Sequence, residues 1–99
     1  MMQGTTPTHH FNIPFDASQV VHARAIYKQR GKEILKKETE DFHMEGNRIS
    51  VQLTQEETFL FIWQTPVKIQ LRIRTKSGQV LNTKPIEVSV GECLEEEVL

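Results

Sequence analysis

The chain has 99 residues, with 12 basic and 13 acidic side chains and a net charge of −1. That length holds one domain with a thin core, and the balanced charge lacks the concentrated basic face that nucleic-acid binding demands. Hydrophobic residues at 37% and charged residues at 25% exclude a disordered chain, and no run approaches the ~20 apolar residues of a membrane span.

Residues 1–8 carry Gly4, Pro7 and three threonines without periodicity and read as a flexible lead. They lack the apolar stretch of a signal peptide, so the expectation is synthesis in the cytoplasm. The folded domain is expected over residues 9–90. It opens with Phe11, Ile13 and Phe15 alternating with His10, Asn12 and Pro14, the period of a half-buried strand. Pro14 has no amide to give to a ladder, which places this strand at an edge.

After a turn at Asp16 to Ser18, Val21, Ala23, Ala25 and Tyr27 are predicted on one face of a strand running to Gln29. Arg30-Gly31 is a hairpin signal, and Glu33 to Thr39 form the returning strand, whose charge suits a sheet edge. Phe42 and Met44 stand as isolated apolar residues before the turn Glu45-Gly46-Asn47. Ile49, Val51 and Leu53 then alternate clearly. Thr54-Gln55-Glu56-Glu57 matches a capping box and predicts one or two helical turns over residues 54–61, delivering Phe59, Leu60, Phe61 and Trp63 toward the core.

From Pro66, Val67, Ile69, Leu71 and Ile73 alternate with Lys68, Gln70, Arg72 and Arg74. Ile49, Val51, Leu53, Val67, Ile69, Leu71, Ile73 and Val88 are predicted to share one core. A last strand holds Val80, Leu81, Ile86, Val88 and Val90, and its break at Thr83-Lys84-Pro85 implies a bulge or a change of sheet. Residues 91–99 form an acidic tail, either a short helix or disordered. Short strands with regular turns and one capped crossover predict an all-β, immunoglobulin-like antiparallel sandwich, with a small barrel as the alternative.

The residues offer no catalytic, cofactor-binding or metal site. His9, His10, His22 and His43 have no partners at zinc-ligand spacing, and neighbouring histidines in a strand face opposite ways. No serine sits in a nucleophile elbow. Cys93, the single cysteine, excludes an internal disulfide, and its neighbours Glu92 and Glu95 work against a nucleophilic thiolate. Glu56 and Glu57 are explained by the cap. Trp63 and Tyr27 read as core aromatics or as a sugar-stacking platform. The Lys68, Arg72 and Arg74 stripe reads as a solvated strand face or as a contact for phosphate or an acidic partner.

Nearly the whole chain resembles a family of small phage and prophage proteins of low-GC Gram-positive bacteria. The resemblance runs through Gly4-Thr5-Thr6-Pro7-Thr8-His9, Phe11-Asn12-Ile13-Pro14-Phe15-Asp16, Glu45-Gly46-Asn47, Val51 to Thr58, Val67 to Arg72, Val88-Ser89-Val90 and Glu97-Val98-Leu99. The architecture, and only that, also resembles N-terminal modules of phage baseplate proteins. The resemblance implies a non-enzymatic virion or tail-associated protein, or an assembly accessory, made in the host cytoplasm. Its implied partners are other phage structural proteins or further copies of itself, through the first strand or the last. A carbohydrate-binding module is the alternative.

Overall fold

A computed structural model describes all 99 residues. The chain forms eight strands: β1 (Thr8–Asn12), β2 (Val20–Gln29), β3 (Lys32–Lys37), β4 (Phe42–Glu45), β5 (Arg48–Gln52), β6 (Val67–Thr75), β7 (Val80–Asn82) and β8 (Ile86–Val88). A single helical turn, α1 (Gln55–Thr58), lies between β5 and β6. The strands build two antiparallel sheets, β1-β5-β4 and β3-β2-β6-β7, with β8 also paired to β6. Orders B-E-D and C′-C-F-G define an immunoglobulin-like sandwich, and these strands occupy those places in that order. The place of a first strand A is empty. Residues at the N-terminus instead cross to the end of the chain, where Met2 makes a parallel bridge to Gly91.

Alternation fixes the register. Ile49 and Val51 of β5 face Ala23, Ala25 and Tyr27 of β2 and Val67, Ile69, Leu71 and Ile73 of β6, all buried. Two alanines beside a buried tyrosine let the sheets close around one large ring. Lys68, Arg72 and Arg74 take the outer face and are exposed. Val88 is only half-buried, because β8 ends the sheet.

The hairpin between β2 and β3 has a two-residue loop with both residues at positive φ, Arg30 at 52° and Gly31 at 76°. This geometry matches the right-handed twist of the paired strands. Thr54 caps α1 as expected. Its hydroxyl accepts from the Glu57 amide at 3.2 Å, and the Glu57 carboxylate accepts from the Thr54 amide at 2.8 Å. The break in the last strand leaves both halves on β6. Thr83 spans it, its amide donating to the Leu71 carbonyl while its hydroxyl accepts from the Leu71 amide at 3.0 Å.

Four features differ from the sequence expectation. Val21 is exposed, since an irregularity between Val20 and His22 turns it out of the alternation. Phe42 and Met44 belong to a paired strand, β4, whose two inward residues are too few to show a period. The N-terminal lead is tied down, with the Gln3 amide on the Gly91 carbonyl and the Gly4 amide on the Thr58 hydroxyl. The acidic tail contains no helix, and its last residue is hydrogen-bonded to the Gln55 side chain.

Candidate interaction surface

After α1 the chain runs Phe59-Leu60-Phe61-Ile62-Trp63. The sequence expectation sends Phe59, Leu60, Phe61 and Trp63 inward, and here it is corrected. Only Phe61 enters the core, its ring centroid 5.8 Å from that of Tyr27. The Phe61 ring, tilted against Tyr27, takes the place at this end of the core. Leu60, Ile62 and Trp63 are left 54%, 49% and 40% exposed. Phe59 lies half-buried against Gly4. At Gly4, φ is 75°, and a β-carbon would come 2.8 Å from the Phe59 ring.

Buried Gln29 braces this loop. It ends the inward series of β2, where alternation would place an apolar side chain. Its Nε2 donates to the carbonyls of Ile62 (2.9 Å) and Thr65 (3.0 Å), and its Oε1 accepts from the Ile62 amide at 2.9 Å. Gln3 grips the other side, its Nε2 donating to the Phe61 carbonyl. Gln64 takes a left-handed φ of 62°, a strained value for a residue with a β-carbon, and its amide donates to the Val90 carbonyl. The loop is therefore an apolar tip on a hydrogen-bonded frame. Beside it Trp63, Gln3, Phe59, Glu92, Cys93 and Glu96 line a shallow depression.

The sheet edges are β1 and β4 on one side and β3 and β7–β8 on the other. β1 is an edge, but it ends at Asn12, so Pro14 lies beyond the ladder and is not what places it there. β3 is guarded by an inward-pointing charge: Lys37 pairs with Glu57 at 2.7 Å, nearly out of solvent. Burial pushes the Glu57 carboxyl upward, but Lys37 and the Thr54 amide together outweigh it and hold the group below its ordinary value.

The histidines are dispersed. His9 faces inward, with Nδ1 2.8 Å from the Tyr27 hydroxyl, while His10 faces outward, 2.7 Å from Ser50 Oγ. His22 meets Glu38, and His43 meets Glu45. The Ser50–His10 contact is a hydroxyl beside an imidazole, but no carboxylate hydrogen-bonds that ring to orient it as a base. No three metal-ligating side chains gather anywhere in the chain, and no helix is long and apolar enough to cross a membrane. Comparisons with protein-family models, curated proteins and solved structures return no match.

Sequence reasoning missed Gln29 and the outward-facing pair Leu60 and Ile62. A polar residue closing the apolar series Ala23, Ala25, Tyr27 was the available signal for the first. Five consecutive apolar residues in a short connection were the signal for the second.

Proposed function

We propose that this chain is a non-enzymatic structural module of a phage virion or tail, acting through protein–protein contact with the Leu60–Trp63 loop as its contact surface. The observation that carries this reading is three exposed apolar side chains on a loop braced by the buried Gln29. Exposed apolar groups cost hydration free energy in the free protein, and a braced loop loses little entropy on binding. A tryptophan flanked by aliphatic side chains is also the composition of an interface anchor. The phage setting rests on the sequence resemblance, which also suggests self-association or a role in assembly.

The test is mass spectrometry of purified virions and assembly intermediates, with wild-type and Trp63→Ser chains expressed in the host. The wild-type chain is expected in particles or intermediates, and the variant is expected to be depleted from them while folding normally. Absence of the wild-type chain from every particle and intermediate would sink this reading.

Carbohydrate binding is the second reading. Trp63 stands partly exposed beside Gln3, Glu92 and Glu96, an aromatic face next to polar groups. Quenching of Trp63 fluorescence by host-wall glycans, together with calorimetric glycan binding that is lost in Trp63→Ser, would promote it.

A further inference from the structure

The outer face of the large sheet carries a charge arrangement that folding alone does not favour. β2 turns out His22, Arg24, Ile26 and Lys28, and β6 turns out Arg74, Arg72, Gln70 and Lys68. The register sets His22 opposite Arg74, Arg24 opposite Arg72 and Lys28 opposite Lys68. The Arg24–Arg72 and Lys28–Lys68 pairs set like charges directly opposite, which destabilises a strand pair. Arg74, Lys28 and Lys68 take part in no ion pair. Arg24 reaches Glu38 through Nε, and Arg72 reaches only the neutral Asn82 carbonyl, also through Nε. Both guanidinium groups are thus fixed, with their terminal nitrogens free. His22, Arg24, Arg72, Arg74 and the exposed Val80 line one depression.

The complementary charge lies on the same chain. Glu92, Glu95, Glu96 and Glu97 also take part in no ion pair, and exposed Leu94 and Val98 flank the run Glu95 to Glu97. This segment is pinned at one end by the Cys93 amide on Gln3 and at the other by the Leu99 amide on Gln55. These anchors lie by the connection that feeds the start of β6, whereas Arg72 and Arg74 lie toward its far end. Lys68 and Arg74, six residues apart, are roughly 20 Å apart along the strand. The segment is held away from its own depression, so a second molecule must supply the match.

We propose that the depression formed by His22, Arg24, Arg72, Arg74 and Val80 docks the acidic segment Glu92 to Val98 of a second copy of this chain. The proposal rests on the protein-contact reading and names a different surface for it. The depression and the segment are different patches, so the contact closes as a reciprocal two-fold dimer where both can pair at once and propagates to a ring or filament where they cannot. A net charge of −1 leaves little overall repulsion between copies. The six terminal guanidinium nitrogens of Arg24, Arg72 and Arg74 suit carboxylates, and Val80 suits Leu94 or Val98.

The test is sedimentation velocity of the full chain over a concentration series at low and high salt. Association is expected at low salt and is expected to weaken at least tenfold at 1 M, where the screening length falls to about 3 Å. Arg72→Gln with Arg74→Gln, and separately Glu95→Gln with Glu96→Gln, should each abolish it while circular dichroism stays unchanged. Arg72→Glu with Arg74→Glu should be monomeric alone, as should Glu95→Lys with Glu96→Lys. Mixing these two proteins should restore association. A wild-type chain that is monomeric at every concentration and salt overturns the proposal without touching the loop reading. Association that survives salt and both glutamine pairs but disappears in Trp63→Ser also overturns it, and assigns self-contact to the loop.

Discussion

Gln29 shows how one side chain can shape a surface it does not reach. Buried polar groups are tolerated when paired, and its amide makes three hydrogen bonds to the backbone of the loop. Gln29→Leu keeps the volume but orphans two carbonyls and one amide. It should destabilise the domain by about 3 kcal/mol in urea titration, and Trp63 emission should report a loosened loop in the native state. Gln64 tests the same frame from the other side. Gln64→Gly removes a left-handed cost of about 1–2 kcal/mol and incurs a chain-entropy cost of about 0.5–1, for a net gain near 0.5 kcal/mol. Gln64→Val should lose more than 1 kcal/mol in the same measurement, because a β-branched side chain tolerates that φ poorly.

At the scale of elements, α1 is a four-residue turn that could not persist alone, and its cap and its ion pair to β3 hold it. Thr54→Ala should cost about 1 kcal/mol by thermal or urea unfolding. The cap was legible in the sequence because its two partners are three residues apart. The same locality made the Arg30-Gly31 hairpin and the alternation of β5 and β6 legible. β4 was not, since its place in the sheet depends on pairing with β5 and its inward residues number only two. The brace at Gln29 was not legible either, because its partners lie 33 and 36 residues away. The cationic stripe could be read on β6, but its opposition to Arg24 and Lys28 depends on the β2–β6 register. The exposure of Leu60, Ile62 and Trp63 escaped because an apolar run says that burial is needed without saying whether the chain's own core supplies it.

Across the whole molecule, the two sheets are joined at one point by a neutral hydrogen bond, and this gives the fold a defined acid sensitivity. Burial raises the pKa of the Tyr27 phenol, and the nearby Glu57 charge adds to that, so the hydroxyl keeps its proton. It stands 2.8 Å from Nδ1 of His9, and the tautomer of the ring decides which of the two donates. Burial lowers the pKa of His9, and the Met1 ammonium and His10 lower it further. Protonating His9 would bring a charge into the half-buried space between the sheets, which burial disfavours. The unfolded chain takes up this proton more readily than the folded one, so stability is full above the ordinary value of 6.5 and falls as pH drops through the lowered folded value. A second loss follows at lower pH. Glu57 is depressed below its ordinary value of 4.5, and its contribution goes as pH falls from there through its folded value, breaking the Lys37 pair. The carboxyls of Asp16 and Glu38 are also held low, Asp16 first by the Ser18 amide and Glu38 by His22 and Arg24 against the opposing effect of burial, but they sit in solvent, where screening makes their share small. Urea midpoints measured from pH 8 to pH 3 should therefore fall in two stages. His9→Gln, which can still accept from Tyr27, should remove the first stage and leave the second. Glu57→Gln should lower stability at pH 7 and flatten the second stage alone. A wild-type midpoint that stays constant from pH 7.5 to 5 would show that His9 titrates freely and that the sheets are not joined through its neutral ring.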